Sequence, residues 1–491
     1  MATTFLWHDY ETFGLSPALD RPAQFAAIRT DEALDIVGEP ICLYCKPPKD
    51  TMPDPQSIFV TGILPQHCEQ VGMVEADFAR AIHKEMSRAE TISVGYNSMR
   101  FDDEVTRNIF WRNFFDPYSR EYENRCSRFD LFPLVVATWA LRPQGINWPK
   151  AQDADRPSFR LEHLSAANGL VHKHAHDALS DVEATIGIAR LIREKQPKLW
   201  DYALKNRSKA AVSRMINSGK PLLWVSPIHG HERGYMRLVC VLGAQLGRAN
   251  HVLMWDLSVD PSEVLSMTAS EVRERLFVRK DELPEGVDPL PIFSCKINQA
   301  PFLVDHLGVL SQERAQQFGI DREKVLRHAA ILAPHVQKLI GTWQEALIAR
   351  DEEQSHEEPD VDASIYHGGF IGSSDKNVMQ YVQRQTPEGL TELVSENRLR
   401  FDDKRLNEML FRYRARNWPE SLTEEEAARW HQWREDRLTQ GMAGARSLEA
   451  FAEAIEELAQ MHDNEQEAER VENICGALYD WAEVMSESLE Y

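Results

Sequence analysis

The sequence predicts an α/β fold with a mostly helical C-terminal part, and three observations lead to this prediction. Apolar residues open the segment 4–12 and alternate over residues 91–96, as they do in β-strands. Apolar residues then recur with helical periodicity from Asp181 to about Arg193. Beyond residue 360 the chain is rich in runs of Glu, Ala and Leu, which favour helices.

The length and the composition predict the division of the chain. A chain of 491 residues corresponds to about three domains at roughly 150 residues each. The first domain should end near Gln196, after the helix that begins near Asp181. The middle region contains strand-like segments at 236–242 and 250–257, and an acidic stretch at 351–360 is typical of a solvated linker. We therefore expect three domains, residues 1–197, 198–348 and 349–491.

The net charge of −22 is unequally distributed along the chain. Residues 351–491 hold 14 Lys and Arg against 33 Asp and Glu, so the rest of the chain is nearly neutral. Local patches of charge, rather than the total, decide what a protein binds. The acidic total therefore does not exclude a nucleic-acid substrate.

The composition favours a cytoplasmic protein without a membrane segment. No apolar run is long enough to cross a bilayer, and the first residues lack a basic region followed by an apolar core. The 7 cysteines are scattered and odd in number, which suits a reducing compartment better than a disulfide scaffold.

Acidic residues in three separate places predict a metal site. Asp9 and Glu11 end the first predicted strand, and residues two apart in a strand point to the same face. Asp102 begins a helix after the second strand, although Asp103 competes for its role, and Asp181 lies in a later helix. Carboxylate oxygens are the ligands that Mg²⁺ prefers. Four carboxylates could hold two divalent cations about 4 Å apart, the arrangement that hydrolyses phosphodiesters.

A histidine near the last of these carboxylates could act as a general base. His176 precedes Asp181 by five residues, and a neutral imidazole can take a proton from water near neutral pH. His172 and His174 are rivals that nothing local excludes. Each motif alone also fits an ordinary role, such as a solvated turn or a helix N-cap. The order and separation of the motifs, rather than any one of them, favour a catalytic site.

These motifs, in this order, resemble the DEDDh family of 3′→5′ exonucleases, which have a ribonuclease-H-like fold. The similarity to bacterial exonuclease I covers nearly the whole chain and is carried by FLWHDYETFG at 5–14, PALDRPAQF at 17–25, RFDDEVTRN at 100–108 and YRARN at 413–417. The resemblance implies a mixed sheet flanked by helices in the first domain. It further implies an SH3-like middle domain with helical insertions and a helical C-terminal domain.

Carried over residue by residue, the resemblance assigns roles to single positions. The metal ligands, for two Mg²⁺ ions with Mn²⁺ as a substitute, are Asp9, Glu11, Asp102 and Asp181, and the general base is His176. The substrate contacts are Glu11, Arg160, Arg107, Tyr118, Tyr122, Asn250 and Asn298. From the residues alone, the basic and aromatic side chains at 107–118 suit either unpaired bases and phosphates or an amphipathic helix with an aromatic core. Phe110 and Phe114 are expected in the core, and each Asn also fits an ordinary turn.

Two further groups of basic residues have alternative explanations. The segment 140–149 resembles one that helps receive the acidic tail of single-stranded-DNA-binding protein, with Arg142 and Lys220 as the basic candidates. A solvated surface charge is the alternative for both. In the acidic C-terminal region, a salt-bridge network between domains is favoured over a DNA contact for Arg412, Arg414 and Arg416.

The sequence therefore predicts a monomeric, magnesium-dependent exonuclease that removes 5′-mononucleotides from the 3′ end of single-stranded DNA. The resemblance implies processive digestion by three domains that enclose the strand, and a role in DNA repair and recombination. One alternative is a small-RNA exonuclease with the same acidic residues, but such enzymes are commonly a single domain. Another alternative is a non-catalytic clamp on single-stranded DNA, and the complete acidic set counts against it.

Overall fold

The computed structural model describes residues 2–151, 154–170, 177–351, 358–461 and 467–490. The chain forms two units. Unit 1 consists of Met1–Ser127, His172–Ile186 and Glu358–Tyr491, and unit 2 of Arg128–Val171 and Gly187–Glu357. Most of the predicted linker at 351–360 lies outside the described residues, as do His172, His174 and His176.

The strands confirm the segments predicted from apolar alternation. The segment 4–12 is a strand over its whole length, and the segment at 91–96 is a strand that ends one residue earlier. The described strands are β1 (Thr4–Thr12), β2 (Pro22–Thr30), β3 (Ile41–Tyr44), β4 (Thr91–Gly95), β5 (Ser127–Asp130), β6 (Lys150–Ala151), β7 (Ala154–Pro157), β8 (Leu222–Val225), β9 (Met236–Ala244), β10 (His251–Asp256), β11 (Ile292–Lys296) and β12 (Phe302–Val304).

The helices begin where the acidic motifs predicted, since Asp102 and Asp181 each lie in the first turn of a helix. No helix in the described part of the chain is both long and apolar enough to cross a membrane. The described α-helices are α1 (Pro55–Thr61), α2 (Pro65–Val71), α3 (Glu75–Met86), α4 (Asp102–Arg112), α5 (Leu131–Leu141), α6 (Leu161–Ala167), α7 (Ala178–Lys195), α8 (Pro197–Lys205), α9 (Lys209–Ile216), α10 (Ala269–Arg275), α11 (Gln312–Gln317), α12 (Arg322–Leu332), α13 (Val336–Asp351), α14 (Ser373–Val382), α15 (Pro387–Ser395), α16 (Lys404–Asn417), α17 (Glu424–Gln440), α18 (Leu448–Met461) and α19 (Ala468–Glu487).

Strand β1 is central to the sheet of unit 1. It pairs antiparallel with β2 and parallel with β4, while β3 pairs antiparallel with β2. The order β3-β2-β1-β4 confirms the mixed sheet that the sequence predicts. Leu6, Phe25 and Phe110 belong to one apolar core against this sheet, and Trp7 donates from Nε1 to Thr30 Oγ1 at 2.9 Å. The first half of β1 thus lies between two strands, and its second half pairs with β2.

The last two helices pack against the N-terminal part of unit 1. Phe451 of α18 and Leu478 of α19 share an apolar core with Phe13 and Phe59. Phe13 follows β1 directly, so this core supports the loop at the end of the strand. The acidic stretch after Asp463 therefore contains a structural helix, α19, which buries its apolar face and exposes most of its acidic residues.

The arginines of the C-terminal region are buried in ion pairs within unit 1, as the salt-bridge explanation predicted. Arg416 pairs with Asp50 across the predicted domain boundary, whereas the carboxylates bound by Arg412 and Arg414 lie in the predicted C-terminal domain itself. The side chains of Arg412, Arg414 and Arg416 are 4 %, 1 % and 6 % exposed, and they donate to Asp360, Glu426, Asp50 and Asp362. Burial alone would raise the pKa of Asp50, but Arg416 and Arg437 hold that pKa below its ordinary value. Ion pairs with Arg416 and Arg437 thus connect Asp50, in the N-terminal part of the chain, to its helical C-terminal region.

Unit 2 contains the second sheet, in the order β11-β10-β9-β8-β12. All four of its strand pairs are antiparallel. Trp224, Val239 and Met254 lie in its apolar core, together with Val212 from helix α9. Helix α10 lies between β10 and β11 in the sequence, which agrees with the predicted SH3-like domain with helical insertions.

Candidate active site

Strand β1 presents two carboxylates near its end. Asp9 and Glu11 are two residues apart, so their side chains point to the same face of the strand. The intervening Tyr10 points to the other face, where it is buried and packs on Phe25 with ring centroids 4.9 Å apart. The alternation of the strand therefore separates the apolar side from the carboxylate side. Glu11 is 9 % exposed, and Asp9 is partly buried.

Helix α7 brings a third carboxylate to the same place. Asp181 lies in the first turn of the helix, three residues after the fully buried Ala178. Carboxylate oxygens of Asp9, Glu11 and Asp181 all lie within 4.8 Å of one another. Residues that are far apart in sequence thus converge, as the three-motif prediction requires. We call these three residues, together with Asp102, the carboxylate cluster.

Asp102 and Asp103 are adjacent at the start of α4 but have different partners. Asp102 is 5 % exposed, and its Oδ1 accepts a hydrogen bond from the Tyr10 backbone N–H at 3.2 Å. Asp103 accepts from Arg120 Nη2 at 2.6 Å in a buried ion pair. Because Asp103 is paired with a cation and Asp102 is held against β1, the geometry favours Asp102 as the fourth member of the cluster.

The members of the carboxylate cluster repel one another. Burial raises the pKa of Asp9 well above its ordinary value, and the charge of Asp102 raises it further. Burial, followed by the charge of Asp181, raises the pKa of Glu11 to about 9. A divalent cation would favour the ionised forms, and a donor set made only of carboxylate oxygens suits a hard ion. The cluster is therefore a site for a divalent metal ion.

The predicted general base lies outside the described residues. His176 and its rivals His172 and His174 fall within 171–176. The described chain resumes at Asp177, whose charge also contributes to the raised pKa of Glu11. The chain is thus close to the cluster one residue after His176, and the assignment of His176 stays a prediction.

The predicted substrate contacts of unit 1 have different environments. Arg107 is 6 % exposed and donates to Glu121 at 2.8 and 3.0 Å and to Glu104 at 2.6 Å. Its guanidinium also lies over the ring of Tyr118, 5.3 Å from the centroid. Tyr122, by contrast, is 58 % exposed. Arg107 is therefore engaged by carboxylates and by Tyr118, whereas Tyr122 presents an open ring.

The predicted substrate contacts of unit 2 are at least partly exposed. Arg160 immediately precedes α6, and its side chain is 73 % exposed. Asn250 lies in the turn before β10, where its Oδ1 accepts from Lys209 Nζ at 2.7 Å. Asn298 lies in a short 3-10 turn, and its carbonyl accepts from Arg128 Nη2 at 3.2 Å. Both asparagines thus occupy turns, the ordinary role that the sequence also allowed.

The two basic residues predicted to contact a protein partner also belong to unit 2. Arg142 directly follows α5, and its Nη1 donates to the Leu141 carbonyl at 2.6 Å. Lys220 is exposed between α9 and β8. The contact of Arg142 and Lys220 with a protein partner stays a prediction.

Phe110 and Phe114 lie in the core, as the sequence predicted, and are 0 % and 1 % exposed. Two charged residues near the site, Arg120 and Asp177, were not predicted from the sequence. Arg120 holds Asp103 across 17 positions, a separation that gives no local signal. Asp177 could have been found, because it follows His176 directly and adds an acidic group to that motif.

Three family models match successive parts of the chain. The model described as Exonuclease matches residues 6–189. The Exonuclease I SH3-like domain matches residues 207–347, and the Exonuclease I C-terminal domain matches residues 359–485. The first match includes every member of the carboxylate cluster.

Whole-chain comparisons agree with these matches. Exodeoxyribonuclease I of Escherichia coli (strain K12) is 41 % identical to this chain over 470 residues, which cover 95 % of each protein. Exodeoxyribonuclease I of Haemophilus influenzae is 40 % identical over 469 residues, which cover 94 % of this chain and 95 % of the relative. A crystal structure of E. coli Exonuclease I in complex with a dA16 oligonucleotide superimposes with a TM-score of 0.89 at 39 % identity, covering 98 % of this chain and 100 % of that one. With domain models and relatives that span nearly its whole length, the chain belongs to the exonuclease I family.

Proposed function

We propose that this protein is an exodeoxyribonuclease that degrades single-stranded DNA from the 3′ end and releases 5′-mononucleotides. The observation that carries the proposal is the convergence of Asp9, Glu11 and Asp181 within 4.8 Å, with Asp102 beside them. The names of the relatives, and the oligonucleotide complexes of E. coli Exonuclease I, support DNA as the substrate. Repair and recombination are the processes that would use this activity.

In the proposed mechanism, the four carboxylates hold two Mg²⁺ ions, with Mn²⁺ as a substitute. When bound, such a pair activates a water molecule and neutralises the leaving oxygen. Asp9 and Glu11 supply ligands from one strand face, while Asp102 and Asp181 supply them from the starts of two helices. His176 takes the proton from the attacking water.

Each unit would contribute residues that contact the DNA. Tyr118 and Tyr122 stack on unpaired bases, and Arg107, whose guanidinium lies over the Tyr118 ring, contacts the strand beside them. Arg160 contacts the substrate near the scissile phosphate, and Glu11, Asn250 and Asn298 are further substrate contacts. We propose the domains 1–197, 198–348 and 349–491, processive digestion, a monomeric state and a cytoplasmic location.

One assay separates the proposed function from its alternatives. Matched 5′-labelled DNA and RNA oligonucleotides, single- and double-stranded, are incubated with the protein and Mg²⁺. The proposal expects a shortening ladder from single-stranded DNA alone. Preferred digestion of RNA would indicate the exoribonuclease alternative, and binding without digestion would indicate the non-catalytic clamp.

Removing one carboxylate should stop the reaction without stopping DNA binding. Asp9→Ala or Asp181→Ala should lower the hydrolysis rate by at least about 10³-fold, because several kcal/mol of transition-state stabilisation are lost. Single-strand binding, measured by fluorescence anisotropy, should largely survive. Asp77→Ala, at an exposed aspartate of α3 that pairs with Arg80, is the matched control. Near-wild-type hydrolysis by either cluster variant would refute the assignment.

Replacement of the general base should slow chemistry less severely. His176→Ala should reduce the single-turnover rate by roughly 10²- to 10⁴-fold, the usual effect of losing a general base. His172→Ala and His174→Ala serve as controls and should have much smaller effects. A larger loss in either control would show that the wrong histidine was chosen.

The raised pKa values make the metal-free protein sensitive to pH. Because the pKa values of Asp9 and Glu11 are raised on folding, ionisation of these groups opposes folding. This destabilisation is absent below the unfolded pKa values of about 4 and grows as the pH rises toward about 9. At about pH 8 without metal, Asp9→Asn should therefore raise the melting temperature, whereas the control Asp77→Asn should not.

The raised pKa values of Asp9 and Glu11 also predict that Mg²⁺ binding releases protons. The apparent affinity should increase with pH, because protonated carboxylates must ionise before they bind the ion. Calorimetric titration in two buffers of different ionisation enthalpy measures the number of protons released. An unchanged binding heat between the buffers at about pH 7 would contradict the raised pKa values.

The proposed partner contact involves the acidic tail of single-stranded-DNA-binding protein. Arg142→Glu and Lys220→Glu should weaken that complex, and wild-type binding should weaken with salt, since exposed charges are screened over about 8 Å at physiological ionic strength. Digestion of DNA coated with the binding protein should slow, while digestion of naked DNA stays normal. Lys280→Glu, at an exposed lysine of unit 2, is the control. Equal slowing on naked DNA would instead place these residues in the DNA path.

A further inference from the structure

A buried glutamine lies directly beside the carboxylate cluster in the sheet. The strand register pairs Glu11 of β1 with Gln24 of β2, and Gln24 with Tyr44 of β3. Residues directly opposite in antiparallel strands point to the same face. Glu11, Gln24 and Tyr44 therefore form a row across the sheet, on the face that carries the cluster. Gln24 is 2 % exposed.

Both ends of the Gln24 amide are engaged. Its Nε2 donates to Tyr44 Oη at 2.9 Å and to Cys42 Sγ at 3.4 Å. Its Oε1 accepts from the backbone N–H of Ala178 at 3.3 Å. The orientation of the amide follows from chemistry, because a backbone N–H only donates and must face the oxygen. Gln24 is thus anchored by β3 on one side and bonded to the start of α7 on the other.

The hydrogen bond to Ala178 acts at a weak point of the helix that carries Asp181. The first four N–H groups of an α-helix have no partner within the helix, and helix ends fray. Ala178 is the first residue of α7, and Asp181 follows within about one turn. Ala178 and Ala26, the next inward residue on this face of β2, are both 0 % exposed, so the helix start and the sheet approach closely.

We propose that Gln24 is a positioning residue that fixes the start of α7 against the sheet and so sets the place of Asp181 relative to Asp9 and Glu11. The proposal rests on the metal site proposed above. Gln24 itself binds no metal. Its effect passes through the helix, since loss of the Ala178 hydrogen bond lets the first turn move and widens the distribution of distances between the three carboxylates.

Gln24→Met tests this role, because methionine has a similar length and cannot accept the Ala178 hydrogen bond. Residues that orient metal ligands typically affect metal affinity or activity 10- to 100-fold. We expect a loss of about this size in Mn²⁺ affinity, measured without DNA, and in kcat, with little change in KM for DNA. Amide hydrogen exchange at Ala178 should accelerate. Gln24→Glu keeps an acceptor oxygen and should preserve slow exchange there.

Gln66→Met is the matched control. Gln66, on α2, likewise bonds through its side-chain amide to the backbone of a helix, since its Nε2 donates to the carbonyl of Ala477 in α19. It should leave Mn²⁺ affinity and Ala178 exchange unchanged, even if it lowers the melting temperature. Wild-type Mn²⁺ affinity and slow Ala178 exchange in Gln24→Met would refute the positioning role, as would equal effects of both substitutions. If the wild-type protein bound no Mn²⁺, the metal site itself would be refuted, and the positioning role with it.

Discussion

The repulsion between buried carboxylates is the constraint on which the rest of the candidate site depends. Asp9 and Glu11 have raised pKa values because they are buried among other acids, so the cluster opposes folding when it is ionised and holds no cation. Groups in this state persist only where the surrounding structure is stable enough to hold them. Here the support comes from β1, which pairs with β2 over Phe5–Thr12 and with β4 over Thr4–Trp7, and which packs on an apolar core.

Two charged residues of α4 that follow Asp102 are engaged in ion pairs of their own. Asp103, next to Asp102, is neutralised by Arg120, and Arg107, one turn further along α4, is taken up by Glu104 and Glu121. Because Arg120 and Arg107 are paired with Asp103, Glu104 and Glu121, the negative potential of the carboxylate cluster can attract a metal ion. The local arrangement, rather than the net charge of −22, sets the chemistry.

The sequence predicted those features that depend on local periodicity. The extent of β1, the start of α4 at Asp102 and the helix around Asp181 follow from alternation and helical spacing, and the structure confirms them. The choice between Asp102 and Asp103 could not be made in this way, because it depends on Arg120, which only tertiary structure brings near. Gln24 gave no signal for the same reason, since Ala178 lies 154 positions further along the chain.

Two of the four carboxylates lie on a strand and two at the starts of helices, and these positions are stabilised in different ways. Asp9 and Glu11 lie on one strand and pair with Ala26 and Gln24 of β2, which sets their positions relative to each other. The pairing of β1 with β4 covers the earlier residues Thr4–Trp7. A helix start is held only by what caps it, so Asp102 and Asp181 depend on contacts outside their helices. Asp102 is bonded to the Tyr10 backbone, and the start of α7 is bonded to Gln24. The start of α4 is therefore hydrogen-bonded to β1, and the start of α7 to β2. All four carboxylates are thus positioned by the same sheet.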